Sequence, residues 1–117
     1  MSLALVSNIE YRYRSSMKDR SLYTGLIRLH ILHHAAEGPI YGQAMIDELG
    51  RHGYRLSPGT LYPVLHGLEE QGYLRSALQI SDGRSRRVYR ATPHGRRELV
   101  TAKKRVQELF GEMFEGD

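Results

Sequence analysis

Arginine side chains crowd one short stretch of this 117-residue chain. Arg84, Arg86 and Arg87 follow directly after the dipeptide Asp82-Gly83, and the whole chain carries a formal net charge of +4. A guanidinium group offers planar donors that match phosphate oxygens, so such a cluster beside a turn is typical of a phosphate-binding surface. A solvated face would have the same composition, and charge alone leaves both interpretations open.

A second set of polar side chains lies in the segment LSPGTLYPVLHGLEEQGY, positions 56–73. The apolar residues of this segment recur at the spacing of a helix. At about 100° per residue, Leu61, Leu65 and Leu68 lie on one side of a helix. The other side carries Gly59, Tyr62, Pro63, His66 and Glu70, and its N-terminal half is uncharged and partly hydrogen-bonding. A helix that buries one face and leaves such a face free fits the major groove of DNA, which is about 12 Å wide.

Three histidines raise the question of a metal site. His30 and His34 share a helix face at a spacing of four residues, and His33 lies beside them. Zinc needs at least a third ligand, and Glu37 is the only carboxylate nearby in this helix. We therefore expect surface or interface histidines and no metal site.

The composition argues against several other functions. The chain has no cysteine, which removes disulfides, thiol catalysis and cysteine-ligated zinc. We find no nucleophile–base spacing, no phosphate loop and no carboxylate pair, so we expect neither an enzyme nor a cofactor. The apolar run at positions 3–6 is too short for a signal peptide or a membrane span, and the expectation is a soluble, cytoplasmic protein without a membrane partner.

Apolar spacing and start and stop signals predict the helices that position these side chains. Leu22, Leu26, Leu29, Leu32 and Ala36, widened by Ile27 and Ile31, predict a first helix that ends at Gly38-Pro39. A second is predicted from about Tyr41 to His52, and a third begins at Ser57, whose hydroxyl is expected to cap it, and Pro58. Residues 1–20 are predicted to be a helical N-terminal extension.

A strand pair and a last helix follow. Leu74, Leu78 and Ile80 alternate with polar residues, positions 87–91 form the return strand, and SDGRSRR between them is predicted to be the hairpin loop. Thr92 and Pro93 repeat the start signal of the third helix. The helix after them carries a narrow apolar seam of the coiled-coil kind, which predicts a dimer interface: Leu99, Ala102, Val106, Leu109 and Met113.

Pro63 conflicts with the helix that contains it. Its ring removes a hydrogen bond to the carbonyl of Gly59 and disfavours helical geometry at Tyr62. The sequence therefore predicts a distorted first turn with Tyr62 exposed.

The order of elements predicts a mainly α fold with a small β-hairpin. Three helices, a hairpin with a basic tip and one more helix is the layout of a winged helix-turn-helix domain at residues 21–92, followed by a C-terminal dimerisation helix at 93–117. The segments LHILHHAAEGPIYGQAMIDEL, LSPGTLYPVLHGLEEQGYL and DGRSRRVYRATPHGRREL, within residues 26–100, resemble the PadR family of bacterial transcriptional regulators, and its branch with one helix after the wing.

The resemblance implies a homodimeric repressor that binds pseudo-palindromic double-stranded DNA. It implies that Tyr41 and Gln43 lie near the DNA backbone, and that a recognition helix and a wing supply the other contacts: Ser57, Thr60, Tyr62, Pro63 and His66, then Arg84, Arg86 and Arg87. Some short members hold a small hydrophobic effector between subunits. The alternative is a winged-helix module for ligand sensing or protein interaction that does not bind DNA.

Overall fold

The computed structural model describes residues 20–116, so the predicted N-terminal helix lies almost wholly outside the described residues. Within them the chain is mainly helical with a small antiparallel sheet, which confirms the predicted fold class. The elements in chain order are α1 (Arg20–Glu37), β1 (Ile40–Tyr41), α2 (Gly42–Arg51), α3 (Pro58–Glu70), β2 (Leu74–Ser81), β3 (Arg84–Ala91) and α4 (Pro93–Glu115).

The core forms between α1, α3 and the sheet. Leu61, Leu65 and Leu68 of α3 are buried as predicted, against a stripe of α1 that includes Ile27 and Ile31. The predicted stripe on α1 was wrong at its start, because Leu22 and Leu26 are 66% and 45% exposed. Leucines and isoleucines both recur at helical spacing on α1, and spacing alone cannot tell which of two adjoining stripes faces the core.

The sheet has three strands in the order β1-β3-β2, where the sequence predicted two. The extra strand is β1, in which Ile40 pairs with Tyr89 and Tyr41 with Val88. A two-residue strand is too short to show alternation, so periodicity could not find it. Because Tyr41 belongs to this strand, α2 begins one residue later than predicted, at Gly42.

The hairpin turn is tighter than predicted. β2 and β3 stay paired up to Ser81 and Arg84, and only Asp82 and Gly83 form the turn, with φ of 52° and 73°. This conformation suits Asp-Gly and matches the twist of the flanking strands. The predicted seven-residue loop was wrong, because exposed polar strand residues were mistaken for loop.

The starts of α3 and α4 differ despite their common sequence signal. The Thr92 hydroxyl oxygen accepts a hydrogen bond from the Gly95 amide at 2.9 Å, as predicted for a cap. The Ser57 side chain occupies the equivalent position but caps no amide; its hydroxyl donates to Thr60 Oγ1 at 3.4 Å instead. Helix α3 runs uninterrupted through Pro63, so the predicted distortion does not break it.

Candidate nucleic-acid interface

Helix α3 presents an uncharged face to solvent in its first half. Leu61 and Leu65 are buried on the opposite side, and Tyr62 is 39% exposed, as the sequence predicted. We call the outward set the groove face, and it consists of the predicted recognition residues Ser57, Thr60, Tyr62, Pro63 and His66. All five are exposed except Thr60, which is half-buried.

The start of α2 lies directly against this groove face. A Cβ built on Gly42 would stand 2.2 Å from the Tyr62 hydroxyl oxygen, so Tyr62 rests where only a glycine leaves room. Gln43 follows on the exposed first turn, and its side chain donates to Asp47 Oδ1 at 3.2 Å. The first turn of α2 and the exposed side of α3 therefore form one continuous surface.

The wing joins that surface through Tyr41. The Arg86 guanidinium carbon lies 3.9 Å from the centroid of the Tyr41 ring, and the Tyr41 hydroxyl donates to Gln79 Oε1 at 2.9 Å. A cation over an aromatic face is attracted by the ring, and the contact holds Arg86 in place. Strand alternation puts Arg84 on the same face of the sheet as Arg86.

Arg87 points to the other face of the sheet. It donates to Ser76 Oγ at 3.1 Å, and Ser76 donates from both its hydroxyl and its amide to Glu69 Oε2, at 2.8 Å and 3.1 Å. This chain of contacts ties the wing to the last turn of α3. The three arginines predicted as one set therefore divide, with Arg84 and Arg86 beside Tyr41 and Arg87 beside Glu69.

Sequence reasoning missed the role of one residue of the wing, Gln79. Gln79 fixes Tyr41, and its place opposite Arg86 in the hairpin register could have suggested a role. Leu78 and Ile80 were predicted as alternating positions of this strand, and they are 63% and 78% exposed. The hairpin extends beyond the helices, so its inward face near the turn has no core to cover it.

The predicted dimer residues of α4 fall into two groups. Leu99 is buried in the hydrophobic core, and Ala102 is half-buried. Val106, Leu109 and Met113 are 47%, 54% and 65% exposed. Phe110 and Phe114, which were not predicted, are also exposed and stack with centroids 5.0 Å apart; their spacing of four residues was a usable signal.

A groove runs between α1 and α4 beside these residues. It measures about 300 Å³ and is lined mostly by apolar side chains, among them Leu26, Leu29 and Val106. None of the helices in residues 20–116 combines the length and apolar composition that a bilayer span requires.

The chain is similar to known proteins over most of its length. The transcriptional regulator Rv3488 of Mycobacterium tuberculosis is 52% identical over 97 residues, which cover 83% of this chain and 91% of that protein. The crystal structure of a PadR family transcriptional regulator from Eggerthella lenta superposes with a TM-score of 0.71 at 29% identity, covering 93% of this chain and 99% of the other. That of smu.1704 from Streptococcus mutans gives 0.68 at 30% identity, covering 75% and 82%.

The family assignment rests on a long continuous match. The sequence model of the transcriptional regulator PadR-like family matches residues 31–101, which run from the middle of α1 through the wing into α4. This span contains the groove face, the start of α2 and the hairpin. The chain therefore belongs to the PadR-like family of transcriptional regulators.

Proposed function

We propose that the protein is a homodimeric, sequence-specific DNA-binding regulator that represses transcription from pseudo-palindromic operators. The observation that carries this proposal is the continuous surface formed by the start of α2, the groove face of α3 and the Tyr41–Arg86 contact on the wing. Helix-turn-helix proteins read bases with the N-terminal residues of the second helix, and a wing reaches the flanking backbone.

The charge along this surface supports DNA over a protein ligand. The groove face carries no acid, and Glu69, at the far end of α3, is engaged by Ser76. Arg84 and Arg86 lie exposed on the face of the sheet that carries Tyr41. A module that had lost DNA binding would be expected to have a closed or acidic recognition face, and this one is open and uncharged.

The wing is tested by replacing Arg86 with alanine. We expect weaker binding to all DNA sequences alike. The slope of log K against the logarithm of the salt concentration should also fall by about one, because one phosphate contact is lost. Fluorescence anisotropy with fragments from upstream of the protein's own gene, at several salt concentrations, measures both. The control is Arg97→Ala, which removes the same charge from an exposed position on α4. Equal losses in the two variants would refute a wing contact.

The groove face is tested by a change in preference. Thr60→Ala and His66→Ala should alter which base pairs are favoured at a few positions, each by about 1–3 kcal/mol, since these side chains would face base edges. Selection from a randomised operator library reads this out. A uniform loss across all sequences would mean that the two side chains contact only the backbone.

The dimer is proposed to form through the second half of α4. Leu109, Phe110 and Met113 expose apolar surface that monomeric proteins seldom leave in one patch, and the patch continues to Leu26 along the groove. Two groove faces held in one dimer would meet successive major grooves about 34 Å apart.

The dimer proposal has a matched pair of variants on one helix. Leu109→Glu should convert the dimer to a monomer in sedimentation experiments at micromolar concentration. Val100→Glu should not, because Val100 is similarly exposed at 57% but lies nine residues away, on the opposite side of α4. Dissociation by both variants or by neither would contradict the proposed interface.

A further inference from the structure

The last turn of α1 gathers three side chains that can ligate a metal. His33 Nε2 lies 3.4 Å from Glu37 Oε1, and His34 Nδ1 lies 3.9 Å from the same oxygen. One ligand atom from each of the three residues falls within 4.8 Å of the other two. The sequence had suggested a different pair, His30 and His34, and had argued against a metal for want of a third ligand.

These separations suit a small divalent ion. Zinc binds imidazole nitrogen and carboxylate oxygen at about 2.0–2.1 Å in a tetrahedron, which requires ligand atoms about 3.3 Å apart. The two distances to Glu37 are close to this value, and small side-chain rotations at the surface would close the remainder. We propose that His33, His34 and Glu37 bind a divalent transition-metal ion of the zinc class, with the fourth position open to water.

A carboxylate on the neighbouring helix supports the proposal independently. The other ring nitrogen of His34, Nε2, lies 3.5 Å from Glu48 Oε1 on α2. Metal-bound histidines almost always donate their second ring N–H to such a group, which fixes the tautomer and makes the imidazole a better ligand.

The local field both favours and opposes a cation. The site lies at the C-terminal end of α1, where the helix dipole carries partial negative charge. Arg96 and Lys103 line a neighbouring cavity of about 290 Å³ together with His33 and Glu37, but both cations are exposed to solvent. Arg96 is also engaged, because it donates to the Ala36 carbonyl oxygen at 2.7 Å.

His30 stands apart from the proposed ligands. Its ring packs against those of His52 and Tyr54, with centroids 4.8 Å and 5.3 Å away. Burial, followed by the nearby imidazoles of His52, His34 and His33, lowers the pKa of His30. Because its ring is engaged with these aromatic neighbours, His30 is not counted among the ligands.

The experiment is a calorimetric titration of zinc into the full-length, untagged, chelator-treated protein. We expect one zinc ion per chain and no heat of binding with magnesium, which prefers oxygen ligands. The double variant His33→Gln, Glu37→Gln should lose the site, and it should still fold because neither side chain is buried, with exposures of 44% and 66%. Glu48→Gln keeps every proposed ligand and should weaken binding by about 10–100-fold.

The control is His94→Gln. His94 lies at the start of α4 and packs on Tyr73. It should bind zinc like the unchanged protein, and far-ultraviolet circular dichroism verifies the fold of each variant. The proposal is overturned if the unchanged protein does not bind zinc, or if the double variant binds it as well as His94→Gln does. Because the titration contains no DNA, its outcome is independent of the proposed DNA-binding function.

Discussion

The helices α3 and α4 begin with the same pair of residue types and use them differently. At the start of α4, the Thr92 hydroxyl accepts from the Gly95 amide and donates to the Gly72 carbonyl, so it acts as both acceptor and donor within the chain. At the start of α3, the Ser57 hydroxyl reaches only its neighbour Thr60. We call the first region the inner seam, and it comprises Gly72, Tyr73, Thr92 and Gly95. Polar groups serve the fold at the inner seam, while on the groove face they remain open to an outside partner.

Two glycines extend this comparison. A Cβ on Gly95 would lie 2.1 Å from the Tyr73 carbonyl oxygen, and one on Gly42 would lie 2.2 Å from the Tyr62 hydroxyl oxygen. The distances are almost equal, but the obstacle at the inner seam is backbone, whereas at the groove face it is the end of a half-exposed side chain. Backbone cannot turn aside without moving the elements it joins.

The largest effect is therefore expected from Gly95→Ala. Overpacking against backbone should lower the free energy of unfolding by about 3 kcal/mol, at the upper end for such insertions. Gly42→Ala should cost about 1 kcal/mol or less, because Tyr62 can rotate into solvent. Urea denaturation of the two variants and the unchanged protein measures the difference.

In DNA binding, Gly42→Ala should have a larger effect than Gly95→Ala, the reverse of their order in stability. Gly42→Ala displaces Tyr62 from the groove face and should reduce operator affinity, while the folded fraction of Gly95→Ala should bind normally. If Gly42→Ala were as destabilising as Gly95→Ala, then Tyr62 would be as firmly held as the backbone, and the comparison between the two regions would fail.

The two hydroxyl residues give the next largest difference. Thr92→Ala should lower the free energy of unfolding by about 1–2 kcal/mol, because it removes a helix cap and leaves the Gly72 carbonyl without its donor. Ser57→Ala should change it by less than about 0.5 kcal/mol, since no amide loses a partner. Thermal unfolding of both proteins provides the measurement, and equal losses would show that Ser57 does cap α3.

The inner seam was more predictable from sequence than the groove face. The capping role of Thr92 follows from a local signal, a hydroxyl residue before proline, and the structure confirms it. The identical signal at Ser57 gave the helix start correctly and the hydrogen bond wrongly. The direction of a hydroxyl depends on which nearby groups compete for it, here Thr60, and those groups are identified only in the folded structure.

The wing, too, could be predicted only in part from the sequence. Asp82-Gly83 correctly predicted the turn, because few other residues tolerate positive φ at both positions. The split of the arginines between two faces depends on where β3 begins, and the predicted start at position 87 concealed it. Once the strand is known to begin at Arg84, alternation alone separates Arg86 from Arg87.

The His33–His34–Glu37 cluster could be predicted only in part from the sequence. The spacing of four residues between His33 and Glu37 was visible, but Glu48 lies on another helix and no local pattern indicates it. Contacts between elements of this kind require the packing of α1 against α2, which a single sequence does not specify directly.

A small gain in stability, and no loss, is expected at Tyr89, which lies in the core behind the groove face. Its side chain is 1% exposed, and its hydroxyl has no hydrogen-bond partner among the described residues. Burial raises the pKa of Tyr89, so the group remains protonated and neutral. Tyr89→Phe keeps the ring and removes the unpaired group, and it should change the free energy of unfolding by less than about 1 kcal/mol, towards greater stability.

The matched variant for Tyr89 is Thr92→Val, which also removes a hydroxyl at nearly constant shape but takes away one with two partners. It should destabilise the protein by about 1–2 kcal/mol, because the Gly95 amide and the Gly72 carbonyl both lose a hydrogen bond. Chemical denaturation of the two variants side by side compares a satisfied hydroxyl with an unsatisfied one. A loss from Tyr89→Phe as large as that from Thr92→Val would mean that the Tyr89 hydroxyl is paired after all, and that polar groups behind the groove face are as fully used as those at the inner seam.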